Sequence, residues 1–202
     1  YNNLIINCMV TNFKNSSIKN QKDSFFIYYP KNLLKRINSF KNEFNGKVLY
    51  AVKANPSEFI IKSLIKNGVK SFDVASIKEL KLVKKIYPNA NIFFMNPVKS
   101  RDSIRKAYTF FNVRNFAVDS LEELKKIHEE TNFANDLKIH MRLKVPNNFS
   151  AINLSNKFGV TINEAPRILK RIDNISSQVG ICFHVGSQCF NPEAFKIGLK
   201  KT

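Results

Sequence analysis

Lys53 ends the apolar run 48–52 in the segment Val48-Leu49-Tyr50-Ala51-Val52-Lys53-Ala54-Asn55. A lysine in that place can be a solvated cation, a contact for a phosphate or a nucleophilic amine. The last role requires a lost proton. From a reference pKa of about 10.4, each unit of depression corresponds to about 1.4 kcal/mol, which burial and neighbouring cations can supply. A second such segment, His184-Val185-Gly186-Ser187-Gln188, follows the apolar run 179–183. Its histidine can face a ligand or be a buried ring satisfied by backbone. Gly186 permits close backbone approach, and the Ser187 hydroxyl can bond a phosphate or a ring substituent. Asp73, Asn96, Asp119 and Arg142 hold the same place after other apolar runs. Asp73 falls within reach of a lysine on a neighbouring strand. Arg142 can grip an anion with its planar fork or balance Asp119 or Asp73. His128 and His140 share no ligand spacing with His184, so no metal site is expected.

These positions recur about 20 to 23 residues apart, with one wider gap before His184, which is the pitch of repeated strand–helix units. A strand that ends in a polar residue carries that side chain to the rim of its sheet, so in a barrel of such units the endings face one mouth. The chain opens with an irregular stretch over 1–24, then a short aromatic strand over 25–29 and a helix over about 30–44 that starts at Pro30. Further helices are predicted over about 57–66, 76–86, 121–130, 161–172 and 192–201. Ser76 with Glu79, and Ser120 with Glu123, have the spacing of capping boxes, which accounts for Glu79 without catalysis. Residues 145–159 are a polar excursion too long for a tight loop. Lys157, near its end, either projects towards a partner or is an ordinary solvated residue. About six units follow from Lys53, so the expected fold is α/β, a partial TIM (β/α)8 barrel short of about two units. The rival doubly wound sheet wants a glycine-rich turn after its first strand, where this chain has Lys53-Ala54-Asn55-Pro56.

The 202 residues carry 33 Lys+Arg against 15 Asp+Glu, a formal net charge of +18. Such an excess suits nucleic acid or an acidic membrane surface when it is concentrated. Here it is scattered over every helical pattern, as on solvated outer faces, and no basic groove interleaved with aromatics is legible. Cys8, Cys182 and Cys189 form neither a disulfide framework nor a zinc spacing, so a reducing cytoplasm is expected. No apolar stretch has the length of a membrane span. Tyr1 in place of methionine, and a last helix without a cap, read as a fragment truncated at both ends.

Tyr50-Ala51-Val52-Lys53-Ala54-Asn55, Phe72-Asp73-Val74-Ala75-Ser76 with Glu79, Asn96-Pro97-Val98-Lys99, Lys157-Phe158-Gly159 and Phe183-His184-Val185-Gly186-Ser187-Gln188 stand in one order. In that order they resemble the fold-type III pyridoxal-phosphate decarboxylases, nearest the ornithine decarboxylases, with lysine and diaminopimelate decarboxylases behind. The resemblance runs from about residue 25 to the end and implies a pyridoxal 5'-phosphate-binding barrel domain over 25–202, of the alanine racemase-like type. It implies that Lys53 binds the cofactor covalently, His184 stacks on its ring and Ser187 contacts its phosphate. Asp73 and Arg142 would belong to the surrounding polar shell, with Glu79 a more distant support. Lys157 would cross the interface of a homodimer with shared sites. The implied reaction is decarboxylation of a basic amino acid, ornithine to putrescine before lysine or diaminopimelate. The family's glycine-rich phosphate loop, its catalytic Cys-Asp pair and its C-terminal β-domain would lie beyond Thr202, so the fragment alone is expected to be inactive. Cys189 is not that catalytic cysteine. The remote alternatives are an alanine racemase-like enzyme and a non-catalytic binder of the cofactor or of nucleic acid.

Overall fold

A computed structural model describes residues 27–202. The chain divides into two compact units, Tyr1–Glu43 and Phe44–Thr202. In the first, helix α1 (Pro30–Glu43) begins at Pro30, whose fixed φ and missing N–H suit a first helical position. The Tyr29 carbonyl accepts from Asn32 and Leu33. The aromatic strand predicted over 25–29 is not formed where it can be seen, at residues 27–29; Phe25, Phe26 and the stretch expected to be irregular lie outside the described residues.

The second unit alternates strand and helix: β1 (Tyr50–Ala51), α2 (Glu58–Lys66), β2 (Ser71–Val74), α3 (Ile77–Ile86), β3 (Asn91–Phe94), α4 (Arg101–Phe111), β4 (Asn115–Val118), α5 (Leu121–Glu130) and β5 (Lys138–Arg142). After these come β6 (Ser150–Ile152), α6 (Ala165–Asp173), β7 (Gln178–Cys182), β8 (Ser187–Cys189) and α7 (Glu193–Lys201). Among the described residues six strands form one sheet in the order β1-β2-β3-β4-β5-β7, every neighbouring pair parallel. Sequential order with right-handed crossovers puts all the connecting helices on one face, so the sheet curls as an open barrel.

Side chains alternate between the two faces of that sheet. Phe72, Val74, Phe94, Phe116, Ile139 and Met141 are buried against the helices, with Ile61, Leu80, Ile104 and Ile127 opposing them. The pairing Ala51↔Asp73↔Phe93↔Asn115↔Lys138 puts Asp73 on the other, half-buried face, where Arg142↔Cys182 also lies.

The predicted strand over 48–52 shortens to two residues because residues 52–54 wind into a 3₁₀ turn. Asp73 does not end its strand: it is the third residue of β2, whose last residue is Val74. The excursion over 145–159 contains β6, paired antiparallel with β8. It closes at its base where Lys144 N–H donates to Val160 O and Val160 N–H to Arg142 O, both at 2.8 Å.

Ser76 caps α3 by accepting from Glu79 N–H at 3.3 Å, while Glu79 Oε2 accepts from Ala75 N–H at 2.7 Å, so that box forms with its return bond one residue early. The box expected at Ser120 forms only by half. Ser120 Oγ accepts from Glu123 N–H at 3.1 Å, but the Glu123 carboxylate turns away to Lys99, for a reason that lies in tertiary packing.

Candidate active site

Lys53 lies in the 3₁₀ turn over 52–54 that follows β1, above the fully buried Val52. The residues around it hold that turn. Asn55 N–H donates to Val52 O at 3.1 Å, Tyr50 Oη donates to Asn55 O at 3.2 Å, and Ser57 N–H donates to Asn55 Oδ1 at 3.0 Å. Tyr50 and Asn55 therefore clamp the backbone on either side of Lys53, whose side chain stays exposed at the carboxyl end of the sheet.

Charge ties Lys53 to the other candidates. Burial pushes the Asp73 carboxyl up, Lys53 and Arg142 pull it back, and Glu79 adds to the rise. The His184 ring is pushed down to about 4, chiefly by burial and then by the Arg142 and Lys53 charges. Burial likewise lowers Arg142, against the pull of Cys182, Asp119 and Asp73. Lys53 and Arg142 thus act on both Asp73 and His184 at one end of the sheet. The tautomer of His184 is set by backbone: its Nδ1 accepts from Gly186 N–H at 2.9 Å, which leaves the proton of the neutral ring on Nε2.

The turn after His184 is held by a loop from far away in sequence. Gly186 is buried at φ +96, and a Cβ there would run into the Ser150 side chain and lie 2.9 Å from Ile152 O. Only glycine lets β6 lie against this turn. The half-buried Ser187 follows directly, opposite Ile152 in the β6–β8 pair. Asn147, buried in the same loop, donates from Nδ2 to Val145 O at 3.2 Å and to His184 O at 3.1 Å. Its Oδ1 accepts from Leu154 N–H and Ser155 N–H. One side chain therefore fixes both the excursion and the histidine.

Lys157 itself is exposed, and its neighbours reach inward. The Arg142 guanidinium lies over the Phe158 ring, 5.1 Å from its centroid, and Gly159 N–H donates to Asp119 Oδ2 at 3.0 Å. Gly159 has φ +99, and a Cβ there would sit 2.9 Å from Lys144 N.

Sequence reasoning missed Asn147 and the buried pair Lys99–Glu123. The Lys99 ammonium is fully shielded from solvent and lies 3.0 Å from Glu123 Oε1. It donates to Asn96 O at 2.8 Å, Pro97 O at 3.3 Å and Ala117 O at 2.6 Å. Burial lowers it to about 8, against Glu123. The Asn96-Pro97-Val98-Lys99 motif was its one signal. A half-buried mouth with a neutral imidazole, a hydroxyl and an amine, in which Asp73 and Asp119 balance Lys53 and Arg142, suits a polar ligand with a flat ring. Among the described residues no group of three His, Cys, Asp or Glu could hold a metal ion.

The family model of the pyridoxal-binding domain of pyridoxal-dependent decarboxylases matches residues 31–202. The chain is 35% identical over 154 residues to the lysine/ornithine decarboxylase of Selenomonas ruminantium, covering 75% of this chain and 38% of that protein. It is 31% identical over 182 residues to the ornithine decarboxylase of Mus musculus, covering 89% of this chain and 38% of that protein. The crystal structure of the arginine decarboxylase of Paramecium bursaria Chlorella virus matches with a TM-score of 0.81 at 31% identity, over 92% of this chain and 50% of that one. The chain therefore spans well under half the length of these two curated relatives and half of the solved one.

Proposed function

We propose, for a chain that belongs to the pyridoxal-dependent decarboxylase family and carries its pyridoxal-binding domain, that the full-length protein decarboxylates a basic amino acid, ornithine to putrescine first. The observation that carries this reading is the clamped Lys53 at the mouth, sharing its field with Asp73, Arg142 and a neutral His184. The cofactor is pyridoxal 5'-phosphate, and this donor set fits it: an amine for its aldehyde, a flat uncharged ring, a hydroxyl and nearby cations for its phosphate. When bound, it supplies an electron sink for the charge left as carbon dioxide departs.

Each residue then has a task. Lys53 would hold the cofactor through Nζ, and the backbone clamp fixes the turn from which that amine reaches. His184 presents its ring without a charge, because Gly186 N–H occupies Nδ1 and burial keeps the proton off. Ser187 Oγ would donate to the cofactor's phosphate. Asp73 offers an anion opposite the amine, and Arg142, backed by Phe158, balances it. The motifs Asn96-Pro97-Val98-Lys99 and Lys157-Phe158-Gly159 favour ornithine over diaminopimelate, and relatives with ornithine alone in their names support putting it before lysine and arginine. Activity is expected from a homodimer in the cytoplasm, with Lys157 at the interface.

In the full-length protein, borohydride reduction followed by peptide mapping is expected to place the pyridoxyl label on Lys53, and Lys53→Ala to lose the label and the decarboxylase activity. A label on another lysine overturns the assignment. Carbon dioxide release from ornithine, lysine, arginine and diaminopimelate, compared side by side, decides the substrate.

A further inference from the structure

We infer that a groove at the amino ends of the central strands, opposite the Lys53–His184 mouth, binds a nucleoside polyphosphate. The groove has a volume of about 1030 Å³, at the upper end of the range for small-molecule sites. The first residues of β3, β4 and β5 form its floor. These are middle strands, so any strand added at the edges β1 and β7 would lie away from it.

Its chemistry is one-sided. Lys81, Lys84, Lys85, Arg114 and Lys138 line it, and among the described residues no Asp or Glu does. In sequence these cations are scattered over 58 positions of chain; folding gathers them. Internal bonds use only part of their capacity. Lys84 Nζ donates to Pro88 O and Ala90 O, both at 2.9 Å, which leaves one N–H. Arg114 Nε pairs with Asp136 at 2.5 Å and Nη1 donates to Tyr108 O and Val113 O, which leaves the Nη2 group. Asn115 offers Oδ1 to His140 Nε2 at 3.3 Å and keeps its amide N–H groups for a ligand. Arg114 and Lys85 have carboxylate partners outside the lining, Asp136 and Glu58, whereas among the described residues Lys81, Lys84 and Lys138 pair with no carboxylate, and fixed N–H donors beside such uncompensated cations are the requirements of a phosphate chain. Phe110, 72% exposed, also lines the groove and supplies a face on which a base can stack.

The extent of the charge favours a compact ligand over a nucleic-acid strand. Beyond Lys85 the adjoining groove contains Glu58, whose carboxylate pairs with Lys85 and with Lys62, both at 3.3 Å. The uncompensated cations stop there.

The test is calorimetric titration of the full-length protein with ATP at about 0.15 M salt, in excess pyridoxal phosphate so that the other phosphate subsite is filled. One saturable site per chain is expected. Lys81→Glu with Lys138→Glu should weaken ATP by about tenfold or more with an unchanged melting temperature. Phe110→Ala should weaken ATP several-fold and leave inorganic tripolyphosphate unaffected. Absence of saturable binding, equal affinity in the charge-reversed variant, an ATP affinity indifferent to Phe110→Ala, or tighter binding of a single-stranded oligonucleotide than of ATP would each overturn the inference. None of these readouts depends on decarboxylation.

Discussion

His184 is neutral because the fold surrounds it with low dielectric and two cations, and that neutrality has a consequence for stability. Its pKa falls from the ordinary 6.5 in the unfolded chain to about 4 in the folded one. Between these values the unfolded state binds the proton that the folded state refuses, so stability must rise with pH across that window. Stability contributed by the neutral ring is fully present above about 6.5 and is lost as pH falls through about 4. Denaturant titrations from pH 7 down to 4 should show this decline, and His184→Gln should flatten it. A decline of equal steepness in the variant would assign the effect to other groups. In the holoenzyme, His184→Ala should also weaken retention of pyridoxal phosphate, which a dialysis series followed by absorbance would register.

At the scale of elements, the buried Lys99–Glu123 pair decides how the loop after β3 meets the start of α5. Glu123 sits where a capping carboxylate belongs. It is drawn instead to a shielded ammonium, to Lys99 N–H at 3.2 Å and to Lys126. An uncompensated buried charge costs more than a hydrogen bond at an exposed helix end returns. Removing one partner, as in Glu123→Leu, should destabilise the domain by about 3–5 kcal/mol because the Lys99 ammonium loses its counter-charge in a buried site. The double variant Lys99→Met with Glu123→Leu should recover most of that loss. Urea melts of the two single variants and the double one give the coupling directly, and additive losses would show that the pair does not act as a unit. Asn147 does for the β6–β8 pair what Lys99 does for α5, with neutral bonds in place of charges.

At the scale of the molecule, β1 and β7 each have one neighbour in the sheet among the described residues, and Ile181, Phe195 and Leu199 leave apolar surface bare on β7 and α7. Such edges and patches are places where more protein packs. Lys157 belongs to this scale too: it is exposed on a loop whose next residues are tied to Arg142 and Asp119, so a contact made by Lys157 would be transmitted to the mouth. If a second copy takes that contact, Lys157→Ala in the full-length enzyme should weaken the dimer by about 1–3 kcal/mol and make specific activity fall on dilution. Sedimentation showing an unchanged dimer, or an active monomer, would return Lys157 to the status of a solvated loop residue.

The sequence by itself determined the parts that follow from near neighbours and from period. Apolar runs about 20 to 23 residues apart became parallel strands in sequential order, Ser76 and Ser120 became helix caps, and the segments around Lys53 and His184 came together at one end of the sheet. Each rests on rules whose range is a few residues, or on the single topology that repeated units allow. Only the tertiary structure decided the rest. Glu123 left its cap for a lysine 24 residues away, and Asn147 reached the His184 carbonyl 37 residues on. Asp73 faced the open side of the sheet because register with Ala51 put it there. The basic groove exists because three strand starts and two helix ends converge. These outcomes depend on which side chains packing brings together and which buried polar atoms it must pair, over distances that no local pattern encodes.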